Sequence, residues 1–533
     1  MTILADIKMY SRFVWGLRGF LRHTITLEEA KAIIQKRMVE REENFLRLVR
    51  RGIFGYQKSP YLPLLKLAGV EFIDIEQMVK RKGLEDTLRA LREAGVYITF
   101  EEFKGREPIV RSGQVIHVQA RDFDNPYLSR YFQRVSGGTT GAGTRVFIDL
   151  SHLADIAPSM MIGNEAHGLL YLPTAIWFGV LPDGTGLHTT LFHARFGHFH
   201  QKWFSPVTVQ EVSSKWKYRL ANQSIVTVGR LFGKPIPQPQ RLSLDQASFV
   251  AHWVADTLKS HNKCVVRAHV SLLLRISIAA MKEGLDLTGA IFLGGGEPPT
   301  PAKVKGIISS GARYVPVFFT VESGAVGIGC GQPIEENDLH LFRDMLAIIQ
   351  YPRQLPDFET TVNAFYFTTL LSSTPKLLLN VESDDYGIIE NRSCGCPLEH
   401  YGFTEHLRRV RSFRKLTGEG VTLVGSEMIQ ILEEVLPSRF GGSPLDYQLV
   451  EEEDEKGFTR LSLLVSPKIH IEDEKKVIET VFEALNKSSV AANLTRAIWS
   501  QAETFRVKRM EPTWTARGKL MPLRLIKQGN PSN

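Results

Sequence analysis

Residues 291–319 read IFLGGGEPPTPAKVKGIISSGARYVPVFF. Ile291-Phe-Leu is an apolar run that stops at three glycines and a Pro-Pro pair, Pro301 to Ser310 has helical character, and Tyr314 to Phe319 is apolar and strand-like again. Strand, loop, helix and strand in this order predict an α/β domain with a largely parallel sheet. Upstream, from Ser243 to Glu283, two helical patterns flank the strand-like Cys264-Val-Val-Arg. Near the N-terminus Thr26 and Glu29 form a capping box, after which Ala30, Ile33, Ile34, Met38, Phe45, Leu46 and Val49 recur near helical spacing, so a long helix is expected to about Arg51. A second helical pattern runs from Phe72 to Phe103. Downstream the character changes near Arg408 to Gly420, where HLRRVRSFRK, residues 406–415, is followed by Leu-Thr-Gly, which marks a domain boundary. Beyond it come a hairpin turn at Val450 to Lys456, a strand at Leu461 to Val465, a helix from Asp473 to Lys487 and a basic tail, which together predict a small α+β module.

At 533 residues and 43% hydrophobic, the chain is globular and too long for one core. Lys and Arg exceed Asp and Glu by 65 to 57, a mild surplus that suits small anionic ligands. No basic block or basic repeat interleaved with aromatics is present, which argues against nucleic acid as a partner. The N-terminal segment has neither an uninterrupted apolar core nor a small-residue cleavage site, and the run Leu169 to Leu181 is short and broken by Pro173, well under the roughly 20 residues of a membrane span. A soluble, cytoplasmic protein without a membrane span is expected, its first helix docked on the body and its N-terminal helical region able to supply a homodimer contact.

The stretch YFQRVSGGTTGAGTRVFIDL, residues 131–150, concentrates Ser136, Gly137, Gly138, Thr139, Thr140, Gly141 and Thr144 ahead of an apolar run. Such a loop suits an anion, because glycines let successive N–H groups converge while hydroxyls donate further bonds. It is not a P-loop, since Thr144 stands where GxxxxGK[ST] needs lysine. Cys330, His340, Cys394 and Cys396 offer three thiolates and an imidazole, a donor set for tetrahedral zinc; Cys264 is expected in the core. His193, His198 and His200, the last two on one face of a presumed strand, have no carboxylate or cysteine near them in sequence and are read as packing or as lining of an acyl pocket. Phe192, Phe196, Phe199, Trp203 and Phe204 around them suggest an apolar substrate wall.

Ser136 to Thr144, Gly294-Gly-Gly-Glu-Pro298, Phe318-Phe-Thr-Val-Glu322, Glu382-Ser-Asp-Asp-Tyr-Gly387 and Pro512-Thr-Trp-Thr-Ala-Arg-Gly-Lys519 are colinear with the motifs of the adenylate-forming (acyl-CoA synthetase) superfamily. The chain resembles that superfamily, and within it the phenylacetate-CoA ligase group. The resemblance implies an α/β fold: a large N-terminal adenylation domain, 1–411, with mostly parallel sheets flanked by helices and a helical region to about residue 125, plus a small mobile α+β domain, 412–533. It implies that the glycine-rich loop steadies the ATP phosphates, that the backbone of Gly295, Gly296, Glu297 and Pro298 lies along adenine, that Phe318 stands at the family's tyrosine and that Glu322 meets Mg²⁺. Asp385 falls on the ribose-binding acid. Arg409 falls on the ribose-binding arginine, with Arg408 or Arg411 in that place after a short shift, and Lys519 is the adenylation lysine. The group's Cys…His…Cys-x-Cys arrangement matches Cys330, His340, Cys394 and Cys396 and implies a structural Zn²⁺.

The implied reaction joins a small carboxylic acid to AMP at the expense of ATP and then passes the acyl group to coenzyme A. Two alternatives stay open: transfer to a carrier-protein thiol or an amine, and a non-catalytic nucleotide-binding descendant. The latter is kept open by Ala142 in place of the loop lysine, by Phe318-Phe319 in place of Tyr-Gly, and by Ser412 in place of the hinge aspartate.

Overall fold

The computed structural model describes residues 3–129, 132–135, 145–181, 183–208, 216–232, 234–297, 299–354, 361–412, 415–418, 421–424, 428, 431–442, 444–485, 499, 501, 503–513 and 523–524. Six helices come first: α1 (Ile3–Arg22), α2 (Leu27–Val39), α3 (Arg41–Leu48), α4 (Tyr61–Leu67), α5 (Phe72–Glu93) and α6 (Phe100–Lys104). α1 is docked, burying Phe13, Leu17 and Leu21. The Thr26 capping box forms, Glu29 N donating to Thr26 Oγ1 at 3.2 Å and Thr26 N to Glu29 Oε2 at 2.7 Å. The single helix expected after it is broken at Glu40, whose ψ of 12° leaves the helical region, and ends in a π-helical turn at Val49–Phe54. The second pattern is interrupted too: Gly83, at φ 79°, kinks α5, and a new capping box at Thr99 and Glu102 starts α6.

Two hairpins follow, β1 (Ile109–Arg111) with β2 (Gln114–Ile116) and β3 (Phe132–Val135) with β4 (Arg145–Ile148). The main sheet is built from β5 (Thr174–Trp177), β6 (Lys202–Ser205), β7 (Pro239–Arg241), β8 (Cys264–His269), β9 (Ala290–Gly295), β10 (Arg313–Thr320), β11 (Gly324–Gly329), β12 (Asp338–Leu341), β13 (Leu346–Gln354), β14 (Thr361–Thr369), β15 (Val381–Asn391) and β16 (Glu405–Ser412). Its order is β13-β14-β15-β16-β12-β11-β10-β9-β8-β5-β6-β7. The half from β10 to β7 is parallel, as the strand-helix-strand pattern requires. The other half is antiparallel. β10 serves both, pairing through Arg313–Pro316 with β9 and through Val317–Thr320 with β11.

Side chains alternate across the parallel half. Ile176, Val265, Ile291, Leu293 and Val315 face α7 (Leu150–Ala166) and α8 (Thr185–Ala194); Ala175, Trp177, Cys264, Val266 and Phe292 face α10 (Ala247–His261) and α11 (Val270–Lys282), with α9 (Trp216–Leu231) packed beside α1. Cys264 is in the core, and burial pushes its thiol up to about 12. α12 (Pro301–Ile308) joins β9 to β10, its first turn capped by Thr300. After the hairpin β17 (Lys415–Gly418) and β18 (Val421–Val424) comes a second sheet, β21-β20-β19-β22, made of β19 (Tyr447–Glu453), β20 (Thr459–Val465), β21 (Phe505–Arg509) and β22 (Leu523–Arg524), with α13 (Leu436–Phe440) and α14 (Glu474–Leu485) beside it. No helix among the described residues is long and apolar enough to cross a membrane.

α8 lies on the sheet at a glycine. A Cβ on Gly186 would stand 2.4 Å from Trp203 Nε1, whose N–H donates to Phe178 O at 3.0 Å. Gly186→Ala is therefore expected to lower stability by roughly 1–3 kcal/mol, read as an earlier first transition in urea unfolding; an unchanged midpoint would show that α8 shifts freely.

Candidate active site and metal centre

Ligands of open α/β sheets bind beyond the carboxyl ends of the strands. β9 ends there in Gly294 and Gly295, and its loop approaches its neighbours as only glycine allows: a Cβ on Gly295 would lie 2.5 Å from Val317 O, and one on Gly296, at φ 80°, 2.4 Å from His269 Nδ1. Glu297 turns inward. Its carboxylate accepts from Ser271 N (2.7 Å), the first turn of α11, from Ser271 Oγ (2.7 Å) and from Lys303 Nζ (3.0 Å). Burial opposes its charge, but Lys303 and Ser271 hold the carboxyl below its usual range. Lys303 also donates to Thr459 of β20 at 3.0 Å, so the pair ties the loop to the second sheet.

On the next strand Phe318 sits at a register shift in β10, and Phe319 stacks on Phe192 of α8 at 6.2 Å. Glu322 follows directly, taking Lys104 Nζ on Oε1 at 3.0 Å. Lys104 ends α6, whose first N–H, on Phe100, donates to Glu382 Oε2 at 3.1 Å. α6 thus spans from Glu322 to the strand that carries Asp385. Asp385 is 8% exposed and accepts from Ser412 Oγ at 2.6 Å, its partner across β15 and β16.

The arginines of residues 406–415 diverge because β16 bulges opposite Gly387, where a Cβ would meet Arg408 O at 2.6 Å. Arg409 occupies the bulge at φ 51°; its side chain is 65% exposed and bonds Glu335 at 3.0 Å. Arg408 bonds Glu390 (2.7 Å) and Glu335 (3.3 Å). Arg411 lies opposite Tyr386, its guanidinium lowered from its usual value first by burial. The glycine-rich loop 136–144, Pro298 and Lys519 lie outside the described residues; the strands flanking the loop pair through Val135 and Arg145.

Of the four expected ligands, Cys330, His340 and Cys394 converge, and Cys396 lies beside them. Cys330 follows β11, His340 lies on β12, and Cys394 and Cys396 follow β15. Among the described residues, Cys330, His340, Cys394 and His406 each bring a ligand atom within 4.8 Å of the others. Cys394 Sγ is 3.5 Å from His340 Nε2, while Cys396 Sγ accepts Gly331 N–H at 3.4 Å and is held below the usual thiol range first by its hydrogen bond to Cys330. Gln332 N donates to Cys330 Sγ at 3.3 Å and Cys396 N to Cys394 Sγ at 3.4 Å, contacts that partly offset the Cys396 thiol and the burial that raise the Cys330 and Cys394 thiols respectively. His340 Nδ1 donates to Phe403 O at 2.6 Å, which leaves Nε2 as its free lone pair. His406, which the sequence reading missed, is the residue paired with His340 across the sheet; its Nδ1 meets Asp338 Oδ1 at 2.7 Å and its buried Nε2 has no partner. This soft donor set with oriented imidazoles has the chemistry that selects zinc.

No protein-family model and no curated protein matches the sequence. Among solved structures, a 2-hydroxyisobutyryl-CoA ligase in complex with 2-HIB-AMP and CoA in the thioesterification state overlaps with a TM-score of 0.53 at 14% identity, covering 95% of this chain and 91% of that chain. The chain has the adenylate-forming acyl-CoA ligase fold. An o-succinylbenzoate CoA synthetase from Bacillus subtilis overlaps at 0.37 with 14% identity over 73% and 67%, and an anthranilate CoA ligase at 0.34 with 10% over 82% and 74%; the assignment rests on the first overlap.

Within the adenylate-forming fold, Gly295, Gly296, Glu297, Phe318 and Glu322 lie at the carboxyl ends of the adjacent β9 and β10, Asp385 lies on β15, which α6 links to Glu322, and the cysteine set gathers where β11, β12, β15 and β16 meet. His198 and His200 depart from expectation: they lie in irregular chain after α8 rather than on a strand, because Ala194 ends the helix and Phe196 N turns back to His193 O at 3.1 Å. Lys104 was hidden because only folding brings α6 to β10.

Lys303→Met strands the Glu297 carboxylate, a change expected to cost about 3–5 kcal/mol. Glu297 has a lowered folded pKa, so the pair's contribution is present above the unfolded value near 4.3 and is lost as pH falls through the folded value. The deficit of Lys303→Met in denaturant should accordingly be largest near neutral pH and shrink below about pH 4; a deficit independent of pH would contradict the ion pair.

Proposed function

We propose that this chain is an AMP-forming acid–thiol ligase that activates a small carboxylic acid with ATP and passes the acyl group to coenzyme A, with phenylacetate-CoA ligases as its nearest functional analogues. The observation that supports it is the meeting of Gly295–Glu297 and Phe318–Glu322 at the ends of the adjacent β9 and β10, with α6 spanning from Glu322 to β15, the strand that carries Asp385.

A carboxylate is a poor electrophile, and joining it to the α-phosphate converts it to an acyl-AMP from which a thiolate can displace AMP. In the proposed site the close backbone of Gly295 and Gly296 receives the flat base, and Asp385 accepts the ribose hydroxyls. Glu322 presents a hard oxygen ligand to Mg²⁺, which when bound would neutralise the phosphates. Its ion pair with Lys104 is partly exposed and so is cheap to exchange. Lys519, on the C-terminal module, would bridge the acid and the α-phosphate as a mobile point charge, and the module would rotate between half-reactions.

Zinc would be held by Cys330, Cys394, Cys396 and His340, with His406 as a fifth donor nearby. Four protein ligands leave no open position, so the metal would be structural, clamping the loops after β11 and β15.

Lys519→Ala should reduce acid-dependent pyrophosphate exchange at least 100-fold, in line with loss of charge stabilisation at the reacting centre, and wild-type AMP release should require coenzyme A for turnover. Near-normal exchange in Lys519→Ala would reject its role, and AMP release indifferent to coenzyme A would reject the thiol acceptor. For the metal, elemental analysis should find one zinc per chain, lost in Cys394→Ser together with thermal stability; metal-free protein of unchanged stability would reject the site.

A further inference from the structure

On the α7/α8 face, one row of side chains crosses five adjacent parallel strands and reads Trp203, Ile176, Arg267, Leu293, Val315. All are buried, and four are apolar. Arg267 is 6% exposed, and its guanidinium donates from Nη2 to Asn164 Oδ1 at 2.7 Å while Nε has no partner. Among the described residues no carboxylate lies within ion-pair distance of it. Burial lowers its guanidinium to about 9, still charged at neutral pH. A buried, charged and unpaired cation is costly and is not what the core needs at this position.

Its surroundings are polar in the same unsatisfied way. His193, His198 and His200 lie 4.8–5.8 Å apart by ring centroid. His193 Nδ1 is held by Thr189 O (2.7 Å), His198 Nε2 by Thr174 Oγ1 (2.9 Å) and His200 Nδ1 by Thr190 Oγ1 (3.3 Å). Nε2 of His193 and of His200 is buried without a partner. Burial and the Arg267 charge keep all three rings neutral. Thr190 Oγ1 donates to Gly186 O at 2.9 Å and so accepts from His200 Nδ1–H, which leaves His200 Nε2 a lone pair.

The cluster also has a definite depth. Two residues along β8 on the same face is His269, which contacts Gly295 O at 3.3 Å and Phe178 at 5.2 Å. Arg267 therefore lies roughly 7 Å, two strand residues, beneath the Gly295–Glu297 loop. α8, which carries His193, meets Phe319 through His188 and Phe192.

We propose that Arg267 receives a second carboxylate at the distal end of the acid, so that the substrate class is the short dicarboxylic acids. This rests on the ligase reading above. A guanidinium offers a carboxylate a bidentate fork, and the shallow edge site beneath Glu322 would take the reacting end. A site built around a hydrogen-bonding group rejects analogues that lack it far more strongly than an apolar wall rejects a changed shape.

The test compares dicarboxylic acids with their monomethyl esters at equal chain length, scored by kcat/KM for acid-dependent pyrophosphate exchange. Wild type should favour a dicarboxylate by about 100-fold over its ester. Arg267→Met, which suits the apolar row and should fold, is expected to erase that preference while leaving the ester within about threefold of wild type, and Arg267→Lys should restore part of it. A wild type that prefers the ester, or Arg267→Met lowering both substrates equally, would overturn the proposal. If no acid supports exchange the ligase reading fails, and calorimetric titration of the free acids then decides this inference separately. Dicarboxylate binding lost in Arg267→Met sustains it, and no binding to wild type overturns it.

Discussion

One buried ion pair, Glu297 with Lys303, organises the rest of the molecule. It joins the loop after β9 to the N-terminus of α11 through Ser271, to the first turns of α12, and to β20 of the second sheet through Thr459. The turn before β20 then lies on α12, where a Cβ on Gly457 would come within 3.1 Å of Lys303 N, and Phe458 takes Arg275 over its ring at 4.5 Å. Such a pair is weak evidence of stability, since well-packed apolar residues often do as well, but it is geometrically demanding. Its value here is register: it holds the loop's backbone open at the strand edge by turning the one large side chain inward.

Glu451 of β19 shows how closely balanced this junction is. Its carboxyl is pushed up to about 7, burial outweighing the attraction of Lys303 and Arg411. A carboxylate raised in this way favours the docked arrangement when protonated and loses that contribution as pH climbs from its unfolded value through 7. The second sheet therefore meets the first across groups whose charge is finely divided.

Much of this was legible beforehand. The crossover from Ile291 to Phe319 could be read because its periodicity, glycines and prolines are local signals, and the cysteine set because thiol chemistry is rare enough to stand out. Most of what failed to show was decided by tertiary contacts. The break at Glu40 carries no local signal, whereas the one at Gly83 uses a positive φ that glycine adopts readily and was passed over in a long helical pattern. The inward turn of Glu297, the ion pair of Lys104 with Glu322 and the pairing of His406 with His340 join residues far apart in sequence. The position of Arg409 was legible as a motif, but its outward orientation follows from a bulge that counting along the chain cannot reveal. The antiparallel half of the sheet carries the metal cluster and was likewise absent from a pattern read on the parallel half.

The two polar features inside the fold have opposite logic. The cysteine and histidine cluster is fully supplied with donors for a cation, each oriented by a second contact, whereas the Arg267 cluster is a cation with nothing to balance it. Arg267 lies on β8, two residues short of the edge formed by the ends of β9 and β10. The central claim is that this edge makes an acyl-AMP, and hydroxamate trapping across a broad panel of carboxylic acids with ATP and Mg²⁺ tests it most directly. The account predicts an ATP-dependent hydroxamate from at least one acid; nucleotide binding without hydroxamate from any acid would contradict it.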